Sequence, residues 1–126
     1  MIYLDNSATT NPKPQAVKNA VSKAMNYYSF NSGRGGYKES VNTSNMIFTV
    51  REKIADMFSF LPQNIAFVPN CTFALNYAIK GIAKPGDHFI ISNLEHNAVV
   101  RPIYSLYEKG IISYDAAKFS YDKEET

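Results

Sequence analysis

The chain carries a single cysteine, Cys71, so no disulfide closes within it. Its two histidines, His88 and His96, leave too few ligands for a structural zinc cluster, and no metal site is expected. There is no basic run. The 13 Lys+Arg are spread among 11 Asp+Glu, and the net charge of +2 makes no case for nucleic acid or an anionic membrane. No apolar stretch approaches the ~20 residues of a membrane span. Met1-Ile2-Tyr3-Leu4-Asp5 lacks the basic start and long apolar run of a secretory leader, so the expected location is the cytoplasm. Charged residues make up 19% and hydrophobic residues 45% of 126 residues, which suits one folded domain and is too apolar for disorder.

Residues 1–13 read as an extended arm with turns, because Asp5-Asn6-Ser7 and Asn11-Pro12-Lys13-Pro14 are turn chemistry. Residues 14–126 read as the first part of an α/β domain. A helix starts near Pro14, with Val17, Ala20, Val21, Ala24, Met25 and Tyr28 on one apolar stripe. Three glycines in the four positions Gly33-Arg34-Gly35-Gly36 break it. A second helix is expected over about Lys38 to Phe58, burying Ile47, Val50, Ile54, Met57 and then Leu61.

From there the pattern changes to short apolar runs. Ile65–Val68, His88–Ile91 and a segment beginning at Ile111 read as strands covered on both faces. Helices fall between them: one through Leu75, Ala78, Ile79 and Ile82, and one starting near Val99 or Val100, since Pro102 is disfavoured deep in a helix. The expected fold class is α/β: N-terminal helices followed by a β-α-β-α-β unit with a mainly parallel sheet. No helix follows the third strand before Thr126, so the sequence reads as the incomplete start of a larger domain.

Ligands of open α/β sheets bind beyond the carboxyl ends of the strands. Two loops lie there. Pro69-Asn70-Cys71-Thr72 opens a helix and is either an ordinary cap or an anion site built from free backbone N–H groups and the Thr72 hydroxyl. Asn93-Leu94-Glu95-His96-Asn97 places His96 where it either stacks on a planar ligand and moves protons or stands as a surface histidine. Cys71 is either a nucleophile activated at a helix start or a small filler. Arg34 in its glycine loop either binds an anion or lies in a connector, and His88, at a strand entry, reads as structural or exposed.

Taken together these segments resemble the cysteine desulfurases, pyridoxal phosphate (PLP) enzymes of the class V aminotransferase fold. The resemblance runs through Tyr3-Leu4-Asp5-Asn6-Ser7-Ala8-Thr9-Thr10 with Lys13-Pro14, then Asn31–Gly36, then Asn70-Cys71-Thr72-Phe73-Ala74-Leu75-Asn76. It continues through Lys84-Pro85-Gly86-Asp87-His88 and Glu95-His96-Asn97-Ala98-Val99-Val100-Arg101-Pro102, in order and over essentially the whole chain. It implies that the backbone of Cys71 and Thr72, with the Thr72 hydroxyl, holds the PLP phosphate. It implies that His96 stacks on the pyridine ring and assists proton transfer. Asn6, Ala8, Gly33, Arg34 and Gly35 would lie near the substrate entrance.

The implied activity is conversion of L-cysteine to L-alanine with the sulfur leaving as a persulfide. A homodimer and a sulfur-acceptor protein are the implied partners of the complete enzyme. The chain departs from the family pattern at Phe73, where many relatives have glutamate, and at Tyr37, where many have histidine. None of its lysines matches the family's Schiff-base motif, and neither the aspartate facing the pyridine nitrogen nor the persulfide cysteine is matched. The isolated chain is therefore expected to be inactive. Selenocysteine lyase, another class V lyase, or a non-catalytic remnant that needs a partner segment are the alternatives.

Overall fold

The computed structural model describes residues 2–119. The tail Tyr121–Thr126, following the expected third strand, lies outside the described residues. The chain divides into two compact units, the first running to Ala66 and the second starting at Phe67.

In the first unit, α1 spans Gln15–Tyr27 and α2 spans Lys38–Phe58. Pro14, extended at φ −53° and ψ 145°, sets the entry of α1. The helix α2 ends because Ser59 turns left-handed at φ 55°, which lets the Phe60 N–H reach back to the Ala55 carbonyl at 2.9 Å. Ala55 is fully buried, and Ser40 and Thr43 are buried with their hydroxyls bonded to backbone carbonyls. The Arg51 guanidinium donates to the Ile65 carbonyl and so ties the short 3₁₀ turn Pro62–Asn64 to α2.

The apolar stripes of both helices are less covered than their periodicity suggests. On α1, Val21 is 54% and Met25 71% exposed; on α2 and just after it, Val50, Met57 and Leu61 are exposed, while Ile47 and Ile54 are half-buried. A stripe records which face is built for burial. Within the described residues, little packs on these two faces.

The second unit consists of α3 (Cys71–Ile82), β1 (His88–Ser92), α4 (Asn97–Glu108) and β2 (Ser113–Ala117). β1 and β2 pair in parallel, His88 opposite Ser113 and Ser92 opposite Ala117, with α4 as the crossover. Gly110 closes α4 at φ +66°, and the following Ile111 N–H returns to the Leu106 carbonyl at 3.0 Å. A side chain there would be strained, which is why glycine follows this helix. Ala98, Pro102, Ile103 and Ile112 are the buried centre.

Four expectations are corrected. Ile65–Val68 forms no strand among the described residues. The sheet has two strands, and the unit reads α-β-α-β where β-α-β-α-β was expected. A strand is made by its partner, and the Ile65 carbonyl is taken by Arg51. β2 begins at Ser113 rather than Ile111, because the N–H of Ile111 serves the end of α4 and its carbonyl accepts from Gly86. α4 starts at Asn97, not Val99 or Val100, and carries Pro102 buried in its second turn. The β1 run is covered on one face only, leaving Ile90 72% exposed. His88, expected to be structural or exposed, is both. Its Nδ1 lies 2.8 Å from the Ser113 hydroxyl and its Nε2 3.2 Å from the Asp115 carboxylate, clipping the two strands together.

Candidate active site

The α3 start is organised by Asn70, whose side-chain oxygen accepts the Phe73 N–H at 3.0 Å while its carbonyl accepts the Ala74 N–H at 3.1 Å. That leaves the N–H groups of Cys71 and Thr72, and the Thr72 hydroxyl, without an acceptor among the described residues. A helix start in this state presents donors and the positive end of the dipole. Asn70 is thus the cap of the helix, and the next two amides are free. The Cys71 thiol is exposed.

The loop after β1 is held from both sides. The Asn93 N–H bonds the Ala117 carbonyl at 3.0 Å, and its side-chain oxygen accepts the Phe119 N–H at 2.9 Å. The Ser92 hydroxyl accepts from the Leu94 N–H at 3.2 Å and donates to the Glu95 carboxylate at 3.0 Å. The loop delivers His96 to the N-cap of α4, where Nδ1 accepts the Ala98 N–H at 3.0 Å. With Nδ1 committed as acceptor, the neutral ring carries its proton on Nε2.

The helices α3 and α4 pack together, and a cavity of about 470 Å³ lies against their starts, lined by Thr72, Asn76, His96, Asn97, Ala98 and Arg101. No carboxylate lines it. Donors from two helix starts and one guanidinium suit an oxyanion, and the imidazole beside them suits a flat ring. The residues therefore fit PLP, a planar ring carrying a phosphate. Among the described residues no group of three or more His, Cys, Asp or Glu is placed to hold a metal.

Thr72 and His96, far apart in sequence, are thus brought together, with Cys71 adjoining through its backbone. Asn76 and Arg101 also line the cavity, and the sequence reading gave them no role. Each stands four residues after a helix-start residue on the cavity wall, Thr72 and Asn97, and that one-turn spacing is the signal that could have found them.

The remaining candidates lie in the first unit. The Asn6 side chain accepts the Asn11 N–H at 3.3 Å, and the Ala8 N–H bonds the Asp5 carbonyl at 3.2 Å. The Gly33 N–H bonds the Asn31 side chain at 2.9 Å, and Arg34 is exposed. The Ser40 hydroxyl, missed in sequence, sits 2.7 Å from the Asn31 carbonyl and 2.8 Å from the Gly35 carbonyl and pins the loop.

The aminotransferase class-V family model matches residues 2–120, and the chain belongs to that family. Its relatives include a probable cysteine desulfurase of Methanothermobacter thermautotrophicus, 31% identical over 111 residues covering 87% of this chain. Another is the cysteine desulfurase IscS of Vibrio campbellii, 33% identical over 114 residues and 86% of this chain. The chain spans 28% of the length of each. Among solved structures, the apo cysteine desulfurase of Thermococcus onnurineus NA1 superposes with a TM-score of 0.83 at 25% identity, covering 94% of this chain and 30% of that one.

Proposed function

We propose that the protein is a PLP-dependent cysteine desulfurase to which this chain contributes the phosphate-binding turn and the ring-stacking histidine. The observation that carries this reading is that Thr72 and His96 line one cavity free of carboxylates. The free amides of Cys71 and Thr72 and the Thr72 hydroxyl hold the phosphate; His96 lies against the pyridine ring. Because its Nδ1 is fixed by Ala98, the ring is oriented and Nε2–H is the group that donates or relays a proton. PLP, when bound, supplies an electron sink for an amino acid's Cα. Asn6, Ala8 and Gly33–Gly35 belong to the substrate entrance in this reading, and residues 14–126 to the cofactor-binding domain. The complete enzyme acts on cysteine as a cytoplasmic homodimer and passes sulfur to an acceptor protein. Among the described residues no helix is long and apolar enough to cross a membrane.

The test is an assay of the full-length protein with L-cysteine, with and without PLP. PLP-dependent release of alanine and sulfide in equal amounts, under reductant, is the expected result. No alanine from cysteine contradicts the reading, and turnover of selenocysteine alone reassigns the protein as a selenocysteine lyase.

A further inference from the structure

Arg101 stands on α4, one turn beyond Asn97, and lines the cavity opposite residues of α3. Exposed helical arginines commonly find a carboxylate three or four positions away. Here those positions hold Asn97, Ala98, Tyr104 and Ser105. No ion pair engages Arg101 among the described residues. The guanidinium is thus an uncompensated positive charge in a cavity whose other wall offers free N–H donors, and a planar fork of donors matches a phosphate better than any other side chain does.

We propose that Arg101 is a second anchor for the phosphate held at the start of α3, setting the site's preference for a phosphorylated ligand. The proposal rests on the PLP reading of this cavity and adds to it a residue with a measurable role. Arg101 neutralises one phosphate charge; Thr72 and the amides beside it satisfy other oxygens. Removing Arg101 weakens every ligand that carries phosphate and spares a ligand that lacks it.

The experiment is calorimetric titration of the full-length protein, as wild type, Arg101→Gln, Arg101→Lys and Thr72→Ala, with PLP, pyridoxal and inorganic phosphate. Arg101→Gln is expected to weaken PLP and inorganic phosphate by about tenfold or more, the loss of a charge-assisted contact. It should leave pyridoxal unchanged, and Arg101→Lys should recover part of the loss. The proposal is overturned if Arg101→Gln leaves phosphate and PLP affinity intact, or if all three ligands weaken together. Loss of PLP affinity in Thr72→Ala beside intact affinity in Arg101→Gln keeps the PLP reading and sinks the Arg101 role. Phosphate binding that depends on Arg101, with no preference for PLP over pyridoxal, keeps the Arg101 role and sinks the PLP reading. A wild type that takes up neither PLP nor phosphate overturns both.

Discussion

His96 caps its own helix: Nδ1 accepts the Ala98 N–H at 3.0 Å, so one ring nitrogen is structural and the proposed chemistry falls to the other. This separates two roles that a single substitution confounds. In the complete enzyme, His96→Ala should lower stability by about 1 kcal/mol, the usual cost of a lost N-cap. It should also cut turnover by ~10²–10⁴-fold, the usual worth of acid–base assistance. His96→Asn should recover the stability, since asparagine caps well, and not the turnover. Thermal unfolding beside steady-state kinetics checks this; recovery of both by asparagine would reduce His96 to a cap.

The Gly35 position tests the loop. A Cβ there would stand 2.7 Å from the Cβ and hydroxyl of Ser40, which is buried and bonded to two carbonyls. Gly35→Ala should destabilise by about 1–3 kcal/mol, as overpacking does. Gly36→Ala meets nothing within 4 Å and should stay within about 0.5 kcal/mol of wild type. Urea unfolding midpoints compare the two, and equal effects would contradict the packing account.

Tyr104 carries the pH prediction. The Glu108 carboxylate, one turn along the helix, holds the phenol above its ordinary value of 10.0, as a hydrogen-bond acceptor for the neutral form and as a negative charge that opposes ionisation. A raised folded value means that the contribution to stability is full below the unfolded phenol's range and is lost as pH climbs through the folded one. Spectrophotometric titration should show Tyr104 ionising late, and Glu108→Ala should bring it back toward its ordinary value. An unchanged titration in that variant would refute the pairing.

The uncovered faces predict association. Val17, Val21 and Met25 on α1 and Ile90 on β1 are exposed large apolar side chains, each worth about 1.5–3 kcal/mol when buried. The 126-residue chain alone should sediment as oligomers or aggregates with a broad melt. Val21→Lys with Met25→Lys should raise the monomer fraction. A monodisperse monomer with one sharp transition would contradict this.

The elements legible in sequence were those set by local signals. The bounds Lys38–Phe58 of α2 follow from its stripe and its flanks, and β1 and α3 fall where their apolar runs and turns put them. The misread elements depend on partners. Ile65–Val68 has strand composition, but its pairing is not set by its own residues. Pro102 argued for a later start to α4, yet the His96 cap and the carbonyl of His96, which accepts from Val99 and Val100, hold the first turn ahead of it. At the candidate site, His96 was singled out by its place beyond β1, Thr72 by its helix start, and both by the family resemblance. Arg101 was not assigned because its meaning lies in what surrounds it: a cavity, free amides and no carboxylate.

The most direct measurement is a crystal structure of the full-length protein grown with PLP. The expected result is phosphate oxygens about 2.7–3.2 Å from the Thr72 amide and hydroxyl, with the His96 ring stacked on the pyridine and its Nδ1 still bonded to Ala98. A phosphate seated away from the start of α3, or a pyridine ring out of contact with His96, would contradict it.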